Sequence, residues 1–298
     1  MTNLRRMITV LLMMAMLVPA LFASGQGEDG MEEPKEVSMT YVNWEEGVAW
    51  SHFFATVLED EMGYDVSITA ADVGPAFSSV ANGDQDFFME AWLPGLHETY
   101  VEGTDLVEIS TIYEDGVTGL IVPTYMAEDG VTALSDLADP EVVERLNGQI
   151  TGIDAGAGMM IRTQEDLIPA YGLDEAGLEL VPSSSPAMLA AMQSAIQNEE
   201  YIVGMGWQPH SMFGRMDLTI LEQDGETIFP IDDIFIMGRP GVEEDLPEVV
   251  AFFENVMWTN DTIGSLMVHI GDSDLDTMEA AREWKNENRD VWSDWLPN

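Results

Sequence analysis

Two short stretches of this 298-residue chain place a tryptophan at the end of an apolar run and a proline two residues later. They are residues 86–94, DFFMEAWLP, and residues 204–210, GMGWQPH, in which the tryptophans are Trp92 and Trp207. Strand ends that lead into turn-like chain carry the ligand contacts of open α/β sheets. Indole faces attract quaternary ammonium groups. We therefore predict that both tryptophans contact one cationic ligand.

A third tryptophan, Trp258, follows a predicted helix that begins after Pro247 and is the candidate for a third aromatic face. A methylated ammonium cannot donate a hydrogen bond, so a box of indoles suits it better than a carboxylate. Each face contributes about 0.5–2 kcal/mol, so several faces are needed. The alternative is that any single tryptophan packs in the core, which we expect of Trp284, Trp292 and Trp295 near the C-terminus.

Residues 43–48, NWEEGV, open a predicted helix, and Trp44 in this stretch is a candidate ligand-binding residue. The free N–H groups at such an end can hold a carboxylate without a basic side chain, although an ordinary capped helix has the same pattern. The four histidines lie far apart, and only His210 falls inside a motif, which makes it a further candidate ligand-binding residue. Residues 154–158, DAGAG, fail the dinucleotide and P-loop patterns. We therefore predict no metal, no cofactor and no catalytic nucleophile.

Predicted strands and helices alternate from Val37 onward in two βαβαβ halves. The chain crosses between the halves twice. We predict an α/β fold of two lobes that close like a clam-shell on a ligand cleft. Residues 36–122 and 235–298 form the first lobe, and residues 123–234 form the second.

The N-terminus has the composition of a secretory signal peptide, with Arg5 and Arg6 before an apolar run and small residues before residue 25. We predict a signal peptide over residues 1–24 and a flexible tether over residues 25–35. The sequence contains no cysteine, so no disulfide and no lipid-modified cysteine is expected. The prediction is a soluble protein exported to the periplasm or another extracytoplasmic space.

Acidic residues outnumber basic ones by 55 to 10, which gives a formal net charge of −45. A field of this sign excludes nucleic acid as a natural partner and disfavours anionic membranes. The acidic residues are spread along the chain, which is typical of a solvated surface suited to high salt.

Taken together, the motifs resemble those of the glycine betaine and osmoprotectant-binding proteins of ABC importers. The resemblance is carried by residues 43–49, 83–94, 152–158 and 206–213, and by Trp258 with Thr259. It implies the type II periplasmic-binding-protein fold and a trimethylammonium group boxed by Trp92, Trp207 and Trp258. It also implies a ligand carboxylate held by the backbone N–H groups of Gly47 and Val48. The expected partner is a membrane permease, and the expected state is a monomer.

Two function classes remain open at this stage. The first is a receptor for glycine betaine, with choline, carnitine and proline betaine as competing ligands. Choline lacks a carboxylate and would not use Gly47 and Val48. The second is an exported enzyme acting on a small polar substrate. This sequence contains no nucleophile, metal or cofactor motif that would support an enzyme.

The charge of −45 predicts that salt stabilises the fold. Repulsion between carboxylates acts over about 30 Å at 0.01 M salt but only about 3 Å at 1 M. We expect the melting temperature to rise steadily across this range, measured by calorimetry in sodium chloride. A melting temperature independent of salt would contradict the prediction.

Overall fold

A computed structural model describes residues 35–297. The predicted signal peptide, residues 1–24, and the predicted tether up to residue 34 lie outside the described residues. Within residues 35–297, no helix is both long enough and apolar enough to cross a membrane.

Strands and helices alternate along most of the described chain, as the sequence predicts. The strands of residues 35–297 are β1 Glu36–Tyr41, β2 Asp65–Ala70, β3 Phe87–Leu93, β4 Val107–Pro123, β5 Gln149–Thr151, β6 Glu179–Val181, β7 Gly204–Gln208, β8 Leu218–Ile220 and β9 Asp232–Gly238. The α-helices of the same residues are α1 Glu45–Asp60, α2 Val73–Ala81, α3 Glu98–Val101, α4 Thr124–Glu128, α5 Pro140–Arg145, α6 Gly158–Arg162, α7 Ile168–Tyr171, α8 Leu173–Ala176, α9 Ser185–Asn198, α10 Met212–Arg215, α11 Val242–Asp245, α12 Pro247–Glu254, α13 Asn260–Asp272, α14 Thr277–Glu287 and α15 Arg289–Trp292.

The main sheet has the strand order β2-β1-β3-β9-β4-β7, and β8 also pairs with β4. Strands β2, β1 and β3 are parallel, whereas β9 runs antiparallel to both β3 and β4. The 17-residue strand β4 pairs with β9 up to Gly116 and with β7 from Val117 onward. This change of partner joins the strands paired through β9 to β7 in one continuous sheet. A separate parallel pair is formed by β5 and β6.

The mixed α/β architecture agrees with the predicted fold class. The predicted lobe boundaries, 36–122 with 235–298 and 123–234, stay a prediction. The apolar residues 119–122 lie at the end of β4, a strand that already begins at Val107.

The strand that carries Trp207 contains its own glycines. The apolar residues 201–203 precede it, and the pairing with β4 begins at Gly204 and includes both glycines. A Cβ on Gly206 would lie 2.3 Å from Cγ2 of Ile121 on β4. Glycine is therefore required for the two strands to approach this closely, and it marks the strand itself rather than its end.

An aromatic core fills the space between α1 and the C-terminal helices. Phe53 of α1 contacts four tryptophan rings at centroid distances of 5.1–6.0 Å, all in edge-to-face geometry. These rings belong to Trp258, Trp284, Trp292 and Trp295. Edge-to-face pairs add about 0.5–1.5 kcal/mol each to the burial of apolar area. The packing role predicted for the C-terminal tryptophans agrees with this arrangement.

Replacement of Gly206 by alanine tests the close approach of β7 and β4. The added methyl group would overlap buried Ile121, and overpacking of this kind costs about 1–3 kcal/mol. The control is Gly264→Ala within α13, where an added Cβ meets nothing within 4 Å. We expect urea unfolding to show a lower free energy of unfolding for Gly206→Ala and an unchanged or higher one for Gly264→Ala. Equal effects would contradict the assigned packing.

Candidate functional site

A small cavity lies where β3, β4, β7 and the start of α1 meet the segment that opens α6. The space between its wall atoms, open solvent included, is about 260 Å³. The residues that line it are Trp44, Glu46, Trp92, Leu96, Thr118, Ile153, Ala157, Gly158, Met159 and Trp207. The lining is mostly apolar and aromatic, with Glu46 and Thr118 as its polar side chains. The cavity therefore suits a small solute with a bulky apolar or cationic end.

Three indoles reach this cavity from three different elements. Trp92 lies at the end of β3, where a Cβ on Gly116 would lie 2.7 Å from its ring. Trp207 lies on β7 directly opposite Thr118 of β4. Trp44 is the N-cap residue of α1, and its ring lies 6.2 Å from that of Trp207. The walls of the cavity thus depend on β3, β7 and the first turn of α1 together.

The segment before α6 closes the cavity on the remaining side. Ala157, Gly158 and Met159 line it, in the Gly-rich stretch that fails the nucleotide-binding patterns. A Cβ on Gly158 would lie 2.4 Å from the carbonyl oxygen of Leu96, so only glycine fits between these two segments. Tyr100 strengthens the contact by donating its hydroxyl to the carbonyl oxygen of Gly156 at 2.9 Å.

Several polar atoms at the cavity wall are buried without a hydrogen-bond partner among the described residues. They are Nε1 of Trp44, Trp92 and Trp207, Oγ1 of Thr118 and both carboxyl oxygens of Glu46. Buried polar groups are normally paired, and an unpaired one costs about 1–3 kcal/mol. Unpaired groups that converge on one cavity indicate a polar ligand.

Glu46, which lines the cavity, and Glu90, which does not, both have fully buried carboxyl groups. Burial raises the pKa of Glu46 to about 7, although the positive charge of His210 and the nearby indole N–H of Trp207 oppose the shift. Burial also raises the pKa of Glu90 well above its usual range, and the charge of Glu46 raises it further. Of the four oxygens, Oε1 of Glu90 accepts a hydrogen bond from the backbone N–H of Val42 at 2.6 Å. Like charges in a low-dielectric site favour retention of a proton.

Glu45 connects the first turn of α1 to the chain after β7. Its carboxylate accepts hydrogen bonds from the N–H of Ser211 at 2.8 Å and from its hydroxyl at 2.6 Å. Nδ1 of His210 lies 2.9 Å from Oε2 of Glu45 and 3.0 Å from the N–H of Met212. We assign a proton to Nδ1 of His210, so that this nitrogen donates to Glu45. A single nitrogen cannot both donate to Glu45 and accept from the N–H of Met212, and a carboxylate only accepts. Burial would raise the pKa of Glu45, but His210 and Ser211 lower it to about 2.

The structure brings Trp92, Trp207 and Trp44 together but does not bring Trp258 to the cavity. Trp258 is 2% exposed, and its ring packs in the aromatic core against Phe53 and Trp295. Its backbone N–H donates to the carbonyl oxygen of Ile112, which ties it to β4 rather than to the cavity. The third indole at the cavity is therefore Trp44, and not Trp258.

The predicted carboxylate contacts lie in the first turn of α1. The N–H of Val48 donates to the carbonyl oxygen of Trp44 at 2.9 Å, so it is already used within α1. The Cα of Gly47 lies against Glu90, because a Cβ there would lie 2.3 Å from both of that residue's carboxyl oxygens. His210 is not among the residues that line the cavity, but its ring packs edge-to-face against Trp207 at 4.9 Å and its Nε2 is buried without a hydrogen-bond partner among the described residues.

Glu46 and Glu90 were missed in the sequence, although each carries a detectable signal. Glu46 lies three and four residues before Ala49 and Trp50, which places it on the buried face of α1 rather than among exposed first-turn carboxylates. Glu90 interrupts the apolar run of β3, a strand buried on both faces. A carboxylate inside such a run indicates a special environment. Thr118, Leu96, Ile153 and Met159 carry no comparable signal.

Comparison with known proteins gives one family match over most of the chain. Residues 35–287 match the family described as the substrate-binding domain of the ABC-type glycine betaine transport system, OpuAC. The chain is also 35% identical over 170 residues to the glycine betaine/carnitine transport binding protein GbuC of Listeria monocytogenes. That match covers 57% of this chain and 56% of the relative, so the chain spans just over half of the relative's length.

Solved structures share the same fold. Lactococcal OpuAC, in its closed-liganded conformation complexed with glycine betaine, superposes with a TM-score of 0.80 at 31% identity, covering 88% of this chain and 100% of that one. An ABC-transporter choline binding protein in complex with choline has a TM-score of 0.79 at 25% identity, covering 87% of this chain and 91% of that one. The predicted two-lobed fold class is confirmed by these similarities.

The raised pKa of Glu46 makes a prediction about stability and pH. The folded chain retains a proton that the unfolded chain releases above about pH 4.3, so stability should fall as pH rises toward about 7. The Glu46→Gln variant cannot ionise at this position, so it does not lose stability in this way. We expect its melting temperature, without ligand, to exceed that of the wild type at pH 8 and to differ little from it at pH 5.

Glu102→Gln is the matched control, since it removes one exposed carboxylate. It should change the melting temperature little at either pH. If Glu46→Gln gave the same change at both pH values, the buried carboxyl would not be the source of the pH dependence.

Proposed function

This chain belongs to the family of substrate-binding domains of ABC-type glycine betaine transport systems, and we propose that it captures a small quaternary-ammonium osmolyte. The observation that carries the proposal is the convergence of Trp44, Trp92 and Trp207 on one small cavity. The ligand class is glycine betaine or a close analogue. Choline is the second candidate, because Glu46 lies in the cavity wall and choline is bound by a protein of the same fold.

The ammonium end of the ligand would rest against the indole faces. A trimethylammonium group is bulky, weakly hydrated and unable to donate hydrogen bonds, so aromatic faces are its best partners. All three indoles are at most 6% exposed, which removes competing water from their faces. The contribution of each face is then at the upper end of its range, about 2 kcal/mol.

The polar end of the ligand would meet the unpartnered donors of the wall. The hydroxyl of Thr118 and the indole N–H groups supply donors without any basic side chain. Each hydrogen bond to a charged acceptor contributes about 1.5–3 kcal/mol. They would add to the predicted contact with Gly47 and stand in for the N–H of Val48, which already donates within α1.

The receptor would work outside the cytoplasm and deliver its ligand to a membrane permease as a monomer. Because the walls of the cavity come from widely separated segments, a ligand that contacts all of them should favour the closed arrangement.

Binding rather than catalysis is the proposed activity. No cluster of residues that could hold a metal ion occurs within residues 35–297. Mass analysis of the ligand released from the protein should therefore show the solute unchanged, whereas a product would favour an enzyme.

Tryptophan substitutions distinguish the cavity residues from the core residue of the sequence-based prediction. Trp44→Ala, Trp92→Ala and Trp207→Ala should each weaken glycine betaine binding more than tenfold, because each removes about 2 kcal/mol of interaction with the ammonium group. Trp258→Phe should leave the Kd within about twofold, since its ring packs against Phe53 away from the cavity. Calorimetric titration measures these constants, and circular dichroism checks that each variant is folded.

A folded Trp44→Ala variant with normal affinity would remove Trp44 from the site. A large loss of affinity in folded Trp258→Phe would restore the sequence-based assignment. If folded wild-type protein bound no quaternary ammonium compound, the proposed function itself would fail.

A further inference from the structure

The Glu46 and Glu90 carboxyl groups are an unusual feature of an otherwise apolar wall. Both residues are 0% exposed, and three of their four carboxyl oxygens have no hydrogen-bond partner among the described residues. The chain makes room for the pair with Gly47, where a Cβ would lie 2.3 Å from the Glu90 oxygens. The missing side chain at Gly47 therefore leaves the space that the Glu90 carboxyl group occupies, next to Glu46 at the cavity.

The surroundings do not supply a cation that would neutralise both groups. The titratable groups around the pair and the cavity wall are Tyr41 on β1, Glu45 on α1, His97 after β3, His210 after β7 and Asp232 on β9. His210 is engaged with Glu45 at 2.9 Å, and burial lowers the pKa of His97 to about 3, which keeps it neutral. Asp232 accepts backbone N–H groups of Gly95 and Leu96.

Two carboxylates in such a site cannot both remain ionised at low cost, so the pair holds at least one proton near neutral pH. Glu46 is the member that lines the cavity, whereas Glu90 lies behind it and is anchored to Val42. The charge on Glu46 is therefore the charge that a bound ligand meets.

We propose that the Glu46–Glu90 pair selects the ligand by its net charge, so that the protonated pair accepts a zwitterion and the singly ionised pair accepts a monocation. The inference rests on the proposed function and specifies the ligand class of the same cavity. A protonated Glu46 donates its O–H to the carboxylate of glycine betaine. An ionised Glu46 repels that carboxylate but attracts the ammonium of choline, which has no carboxylate of its own.

The proton balance follows from these two states. Choline that binds to the protonated pair expels one proton to solvent, which leaves a carboxylate beside the ammonium. Glycine betaine that binds to the ionised pair takes up one proton from solvent. The two ligands should therefore show opposite pH dependence at the same site, a behaviour that a uniform loss of fold stability cannot produce.

The experiment is calorimetric titration of glycine betaine and of choline from about pH 5.5 to about pH 8.5, in two buffers of different ionisation enthalpy. As pH rises, choline should bind more tightly and glycine betaine more weakly, by up to about tenfold per pH unit within the titration range. The buffer comparison should show protons released with choline and taken up with glycine betaine.

Two variants and a control sharpen the test. Glu46→Gln, which cannot ionise, should give flat pH profiles for both ligands and weak choline binding. Glu90→Gln removes the repulsion on Glu46 and should move the choline profile to lower pH. Glu102→Gln, an exposed position, should keep the wild-type profiles.

Parallel or flat profiles for both ligands on the folded wild-type protein would overturn the inference and leave the proposed function intact. Unchanged wild-type profiles in folded Glu46→Gln would likewise overturn it. If neither ligand bound the folded wild-type protein at any pH, the proposed function and the inference would both be overturned.

Discussion

The cavity exists because backbone segments approach one another at glycine more closely than any other residue allows. Gly116 leaves space for the ring of Trp92, Gly158 seats against Leu96, and Gly206 lets β7 lie against Ile121 of β4. Each would place a Cβ within 2.7 Å of its neighbour. A methyl group at any of these positions would move a wall of the cavity, and with it an indole or the segment that opens α6. The geometry of the aromatic walls is therefore set by residues that have no side chain.

These walls create an electrostatic condition as well as a shape. Indoles that are nearly free of water present strong faces to an ammonium group, but the same dryness makes any ionised side chain at the wall costly. Glu46 lies in this environment and Glu45, the residue before it, does not. Glu45 reaches His210 and Ser211 and has a lowered pKa, whereas burial raises that of Glu46. The pKa values of these two adjacent residues are therefore shifted in opposite directions. Successive side chains of a helix point about 100° apart, so the two carboxyl groups meet different surroundings.

The sequence predicts the fold class and four candidate tryptophans, but not the way in which distant segments meet. Trp92 and Trp207 carry a local signal, because each ends an apolar run and is followed two residues later by a proline. Trp44 is a candidate at the start of a predicted helix, and the resemblance places Trp258 in the aromatic box. Nothing local distinguishes an indole that faces a cavity from one that packs on Phe53, since that choice is made by tertiary contacts. Glu46 is not among the predicted site residues, although the helical period places it above Trp50 on the buried face of α1.

The distribution of basic residues explains why neutral donors and one carboxyl pair must determine selectivity. The chain has 10 basic residues against 55 acidic ones, and no lysine or arginine lines the cavity. Several of the basic residues are held in ion pairs elsewhere: Lys285, with a 1% exposed side chain, lies 2.6 Å from Asp60, and Arg239 lies 2.8 Å from Asp86. The field of the remaining carboxylates attracts every cation alike and leaves a zwitterion almost unaffected. A preference for the zwitterion therefore cannot arise from the surface, and Glu46 is the ionisable side chain in the cavity wall that can supply it.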